Sequence, residues 1–315
     1  LRGLICKLSP IELIDYSYVD VFKEADVYPV VVLISNQKPH NYKVSTKVME
    51  GLERVKTHNL VDSNQFVSDI FWDKYFFRPV ILNLIIKITK HKKLISLFPN
   101  ILGAATVNEA YQIKEVLREL KKEKNFFKFV NTGTIDPYKT LWGIKQTKYI
   151  KGQYHHPILT KEDLDKINPT RTKQSNSSKI MIAGMSLRIE AYFDGNGKYC
   201  AGKSTTIILG ETDSLKSLVG ILNSKLVSYW FSKYFNSLSM AGGYFNIGNN
   251  EIGLVPIPEV DLPISSLNKL VDKIVLIKEN NPDADASKLE EQIDELVYKL
   301  YDLTEEEIKI IEGNE

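Results

Sequence analysis

One stretch of this 315-residue chain has the letters of a phosphate-binding loop. Gly197-Lys198-Tyr199-Cys200-Ala201-Gly202-Lys203-Ser204 fits GxxxxGK[ST], in which backbone N–H groups cradle a phosphate and the lysine reaches its outer oxygens. That chemistry needs a buried strand before the loop and a helix that opens after it. Here Gly197 belongs to a turn run, Asp194-Gly195-Asn196-Gly197, and Thr205 to Leu209 are β-branched and apolar, so strand follows. No apolar strand ending in a metal-binding aspartate is evident downstream. A P-loop NTPase is therefore the weaker reading; it would show ATP binding lost in Lys203→Ala. His155 and His156 are adjacent, and neighbours on a strand face opposite ways, which argues against a shared metal. Cys6 and Cys200 lie far apart without CxxC spacing, so neither a disulfide framework nor a zinc site is suggested. Pro282-Asp283 lacks the following acidic-x-lysine on a strand that a nuclease would need. No catalytic and no metal-ligating residue is assigned.

The remaining chemistry is charge. Lys and Arg total 41 against 39 Asp and Glu, a net of +2, but the distribution is uneven. From Lys124 to Lys179 there are eleven basic residues against four acidic ones, and from Asp283 to Glu315 twelve acidic against three basic. The first segment could neutralise phosphates and the second would avoid them, although a lysine-rich run can also be simply a solvated surface. Trp142, Tyr149 and Tyr154 are scattered among those lysines, and aromatics interleaved with cations can stack on or grip a nucleic acid. Lys145, Lys148, Lys151, Arg171 and Lys173 are the candidates for phosphate contacts, with Arg188, Lys203, Tyr244 and Asn246 for contacts near bases. The choice rests on charge and expected loop position.

These residues need elements to hold them. Ile180 to Ile182 and Leu187 to Phe193 read as strands, the 194–197 turn as the end of a hairpin, and Tyr199 to Leu209 as the returning strand. Leu215, Leu218, Val219, Leu222, Leu226, Tyr229 and Trp230 give the stripe of one buried helix. Gly242-Gly243 ends that pattern, Tyr244 to Ile247 is a short strand, and Val255-Pro256-Ile257-Pro258 is extended. Upstream, Val107 to Leu120 has helical spacing, and the polar Arg171 to Ser178 reads as a mobile loop. Val27 to Ile34 is near-continuously apolar, as for a strand covered on both faces. Phe66, Ile70, Phe71, Trp72, Tyr75, Phe76 and Phe77 are dense and mixed with aliphatics, which favours a core over base stacking. Two acidic-faced helices are expected between 263 and 315, with capping-box spacing at Ser287-x-x-Glu290 and Thr304-x-x-Glu307. No apolar run is long enough to span a bilayer and no signal-peptide layout opens the chain, so a reducing cytoplasm and no membrane are expected. The first residue is Leu1 rather than Met, which suggests a longer parent.

The order of strand pair, Leu222-Asn223-Ser224 within a helix, Gly242-Gly243-Tyr244-Phe245-Asn246-Ile247, and Pro256-Ile257-Pro258 resembles the C-terminal target-recognition domain of TaqI-like adenine-specific DNA methyltransferases, common in type IIG restriction-modification enzymes. Ile101 to Thr106, followed by Asn131-Thr132-Gly133-Thr134-Ile135, resembles the opening half of that domain. Ile14-Asp15, Phe22-Lys23-x-Ala25 and Val27-Tyr28-Pro29 with its valines look like the closing strands of the catalytic domain, and Gln65 to Trp72 partly like its connector. Ile293 to Ile308 is similar to the tail of many type IIG enzymes. The resemblance implies an α+β chain: the end of a methyltransferase sheet at 1–45, a connector at 46–93, a target-recognition domain at 94–262, and a C-terminal helical hairpin at 263–315. It implies recognition of double-stranded DNA beside a missing N-terminal catalytic domain, the target adenine being flipped out. The Asn-Pro-Pro-Tyr loop and a glycine-rich S-adenosylmethionine loop are not found, so that cofactor is expected in the parent and none in this chain, which alone would be non-catalytic. A protein-binding scaffold of a phage-defence methylase assembly, docking through the region around Trp72, is the other class.

Overall fold

The computed structural model describes residues 2–22, 29–37, 40–68, 71–240 and 243–313. Lys23, Ala25, Val27, Tyr28, Ile70 and Gly242, singled out above, lie outside the described residues. Two compact units form, Leu1–Ile88 with Lys233–Ser237, and Thr89–Ser232 with Leu238–Glu315.

In the first unit, strands β1 (Pro10–Asp15), β2 (Val30–Ile34), β3 (Lys43–Met49) and β4 (Val55–Asp62) make one sheet in the order β2-β1-β3-β4. β1 runs parallel to β3, and the other neighbours are antiparallel. The expected boundary at residue 45 falls inside β3. One sheet face packs on the aromatic cluster: Phe66 stacks on Trp72 at 4.4 Å, and Phe66 and Tyr75 are fully buried. Asn59 Nδ2 donates to the Tyr75 and Phe77 carbonyls, both at 2.8 Å, fixing that chain against the sheet. Helix α1 (Pro79–Thr89) buries Leu82, Leu84, Ile85 and Ile88 as its spacing predicts. The expectation for the valine run is corrected. β2 is an edge strand, with Val30 50% and Leu33 45% exposed. Continuous apolarity allows cover on both faces, but the strand lies at the margin of the sheet rather than within it.

The second unit holds the basic stretch. Its elements include β5 (Ile101–Gly103), α2 (Val107–Val116), β6 (Arg118–Glu119), β7 (Phe126–Val130), β8 (Thr147–Tyr149), β9 (Gly152–Tyr154) and β10 (Pro157–Thr160). Then come α3 (Pro169–Asn176), β11 (Lys179–Ala183), β12 (Met185–Ser186), β13 (Ala191–Asp194), β14 (Tyr199–Ala201) and β15 (Thr205–Leu209). Two four-stranded sheets result, ordered β13-β11-β15-β5 and β14-β7-β10-β6. The expected hairpin across 194–197 is not a ladder: β13 and β15 both pair with β11, while β14 crosses to run parallel with β7 in the other sheet. The turn itself is real. Gly197 has φ +61°, and a Cβ there would sit 2.1 Å from the Asn176 carbonyl oxygen. What redirects the chain is Asp194, whose carboxylate accepts the Lys198 and Tyr199 backbone N–H groups, both at 3.0 Å, as well as Lys179 Nζ.

Other expectations shift too. Helix α2 stops at Val116, and Leu117 turns extended into β6. The stretch expected as a loop at 171–178 is mostly helix α3, started by Asn168 as N-cap and Pro169 behind it. The long stripe is two helices, α4 (Thr212–Asn223) and α5 (Lys225–Tyr234), separated by Ser224 with φ −65° and ψ 154°. Asn223 explains the break. Its side chain accepts the Ala191 N–H at 2.9 Å and donates to the Ala191 carbonyl at 2.8 Å, while the Lys225 N–H is taken by Asp294. β16 (Phe245–Asn246) pairs with β12. Beyond it, α6 (Ser265–Asn280) and α7 (Ser287–Leu300) form the expected acidic hairpin, and α8 (Glu305–Glu312) begins with the Thr304 and Glu307 capping box. The box expected at Ser287 does not form, because Ala286 is the N-cap and Asp285 accepts the Ser287 N–H. Gly220 lets α4 and α6 approach, since a Cβ there would lie 3.2 Å from Val271. Among the described residues no helix is long and apolar enough to cross a membrane.

Candidate nucleic-acid interface

The basic candidates divide by location. β8 and β9 form a two-residue hairpin whose turn residues, Ile150 (φ +37°) and Lys151 (φ +60°), are both left-handed, as such a turn requires. Thr147 and Tyr149 point into the core, so the alternation turns Lys148 outward and the turn puts Lys151 at the tip. Asn131 Nδ2 donates to the Lys148 carbonyl at 3.1 Å, tying the hairpin to the loop after β7. Thr132 Oγ1 in that loop accepts the Met185 N–H at 2.9 Å, bringing in β12, and Met185 pairs with Asn246 of β16. The Gly184 N–H donates to the Ser204 carbonyl at 3.0 Å, and the Gly202 N–H to that of Val130 at 2.8 Å. A Cβ on Gly184 would fall 2.4 Å from the Ser204 oxygen, so only glycine permits this approach.

These bonds gather Lys148, Lys203, Asn246 and the Leu187–Arg188 bend at one end of the two sheets. Ser186 Oγ donates to the Arg188 carbonyl and shapes that bend. Lys145, Lys148, Lys151, Arg188, Lys203, Tyr244 and Asn246 are all exposed, and among the described residues the cations of this group hold no ion pair. Leu187 is 55% exposed and Tyr244 45%, so the rim offers apolar and aromatic contact beside its cations.

Arg171 is different. Its guanidinium donates to Glu109 Oε2 through Nη2 at 2.8 Å and Nε at 3.1 Å, and both side chains are largely buried. Burial alone would raise the Glu109 carboxyl, but hydrogen bonds from Arg171, the Thr106 backbone and Asn168 outweigh it and hold the group at about 2. The cation is spent inside the protein, which corrects its assignment to phosphate. Lys173, one turn face away, stays exposed on α3. Lys179, counted in the basic run, is buried with its Nζ 2.6 Å from Asp194.

Sequence reasoning missed two acidic residues at the rim. Glu190 is half-buried, and its carboxyl is pushed up to about 7 by burial and by Asp136, against the pull of Arg188 and Lys145. Neither residue falls in a motif; only their position beside Arg188 and the β7 loop marks them. His155 and His156 also differ from expectation. They sit at a bend rather than on a strand, with ring centroids 4.6 Å apart, and both backbone N–H groups donate to Glu119. Among the described residues no three His, Cys, Asp or Glu gather as a metal site. Gly202 and Lys203 lie in a turn between β14 and β15, so the GxxxxGK[ST] letters open no helix.

Residues 118–257 match the TaqI-like C-terminal specificity domain. No curated protein matches the chain. Among solved structures, the type IIG restriction endonuclease BpuSI is similar with a TM-score of 0.40 and 11% identity, over 95% of this chain and 44% of that one. The type IIL restriction-modification enzyme MmeI in complex with DNA gives 0.39 and 14%, again over 95% and 44%. The chain thus spans less than half the length of either.

Proposed function

We propose that this chain reads a DNA sequence on behalf of an adenine-specific methyltransferase of the restriction-modification type. The observation that carries the reading is that residues 118–257, which match a specificity domain, contain the whole unpaired basic rim. Lys145, Lys148, Lys151 and Lys173 suit phosphate oxygens, which fix register without carrying sequence. Arg188 and Asn246 have the forked geometry that selects guanine and adenine edges in the major groove, with Lys203 and Tyr244 beside them. S-adenosylmethionine and the methyl transfer belong to a catalytic domain of a longer protein, double-stranded DNA is the partner, and the cytoplasm is where both meet.

The test is selection from a randomised duplex pool. The expected outcome is one enriched motif, whose specificity relaxes at a single position in Arg188→Ala. Enrichment of no motif would sink the reading. In the full-length protein, exchanging residues 94–262 for those of another such enzyme should change the sequence around N6-methyladenine in genomic DNA; an unchanged motif would place recognition elsewhere.

A further inference from the structure

The far end of the same sheets carries a second basic feature. β11 pairs Ala183 with Thr205 at the rim end, and Lys179 with both Asp194 and Leu209 at the other. There a cleft of about 530 Å³ opens between the 194–198 turn and helix α6. That volume lies within the range of small-ligand pockets.

Its charges do not cancel locally. Lys216 is answered by Asp272 at 3.0 Å, and Asp194 is committed to Lys179 and two backbone N–H groups. Lys128 and Lys198 remain on one wall and Glu279 on the other, with no ion pair among the described residues. The backbone holds the two lysines together: the Lys128 N–H donates to the Lys198 carbonyl at 3.0 Å, and Tyr199 stands opposite Lys128 in the parallel register. Lys128 Nζ lies 4.6 Å from the centroid of Trp142 and 5.6 Å from that of Tyr199, so its position is fixed by aromatic faces rather than by a carboxylate. Burial and the neighbouring Lys198 both pull the Lys128 pKa down. Two ammonium groups held side by side in a half-buried cleft raise the local potential, and a bound anion would relieve it.

We propose that this cleft is a ligand site separate from the DNA rim, taking a small phosphate-bearing molecule between Lys128 and Lys198. Glu279 opposes the anion and sets a ceiling on its affinity.

Calorimetric titration of the full chain with inorganic pyrophosphate tests this. One saturable site is expected, weakened about tenfold or more in Lys128→Met or Lys198→Met, as for loss of a charged hydrogen bond. Lys203→Ala should leave pyrophosphate affinity unchanged, Lys128→Met should leave duplex affinity unchanged, and Glu279→Gln should tighten pyrophosphate binding. No saturable heat, or equal affinity in Lys128→Met, would overturn the proposal. So would displacement of pyrophosphate by duplex DNA together with loss of duplex affinity in Lys128→Met, which would make the cleft an extension of the DNA surface. Should the lysine variants fail to fold, Glu279→Gln decides alone, since that side chain is exposed; unchanged affinity there overturns the site.

Discussion

Arg171 and Lys179 belong to the same basic stretch as Lys148 and Lys151, yet the two pairs end in opposite situations. The first pair is folded inward, and each cation brings its own carboxylate, Glu109 or Asp194. The second pair stands on a hairpin that turns its charged face outward without a partner. Net charge counted along a chain therefore measures two things at once. Inward cations act on stability and are silent toward DNA; outward ones act on binding and are nearly silent in stability.

The sharpest test of that division is Asp194→Ala. It strands the Lys179 ammonium in the core and should cost about 3–5 kcal/mol in urea unfolding, while DNA affinity of the folded fraction holds. Next is Arg171→Ala, expected to cost about 2–3 kcal/mol through the abandoned Glu109 carboxylate. If it instead weakened DNA binding and spared stability, the two classes would collapse into one. The same pair predicts a pH signature. The folded Glu109 carboxyl is depressed from 4.5 to about 2, so its contribution is complete above 4.5 and is lost as pH falls toward 2. Thermal midpoints across that window should fall less steeply in Arg171→Ala than in the parent.

Lys148→Ala with Lys203→Ala should lower duplex affinity about tenfold and flatten the salt dependence by about 1.8 log units per log unit of salt, as expected for two lost phosphate contacts. Stability should move by no more than about 0.5 kcal/mol. The smallest effect concerns Glu190. With its carboxyl near 7, acidification through that value removes a negative charge from the rim, so duplex affinity should rise a few-fold as pH falls, and Glu190→Gln should abolish the change.

Much of the frame was legible because short-range pattern carried it. The β11 and β15 strands, the apolar stripe of α4, the α6–α7 pair and the Thr304 cap follow from spacing that neighbours in sequence enforce. The failures are long-range. The 194–197 turn was readable, but not its destination, because Asp194 chooses its partners from Lys179 as well as from the turn. The break at Ser224 depends on Ala191 and Asp294, which no helical period contains. Helix α3 was hidden by its Thr, Ser and Asn residues, which are weak helix formers, although Asn168 before Pro169 was an available start signal. For the site, exposure of Lys148, Lys203 and Asn246 agreed with loop position, whereas the fate of Arg171 was invisible because Glu109 lies 62 residues away.

The bare margin of β2 has a practical side. Its outer hydrogen-bonding row is open, and Val30, Val31, Leu33 and Ile34 are all largely exposed along it. A strand of this kind is a template for self-association. Preparations of the chain on its own will have a solubility ceiling set by copies laddering edge to edge, and a lysine or proline placed in that strand is the substitution that should raise it.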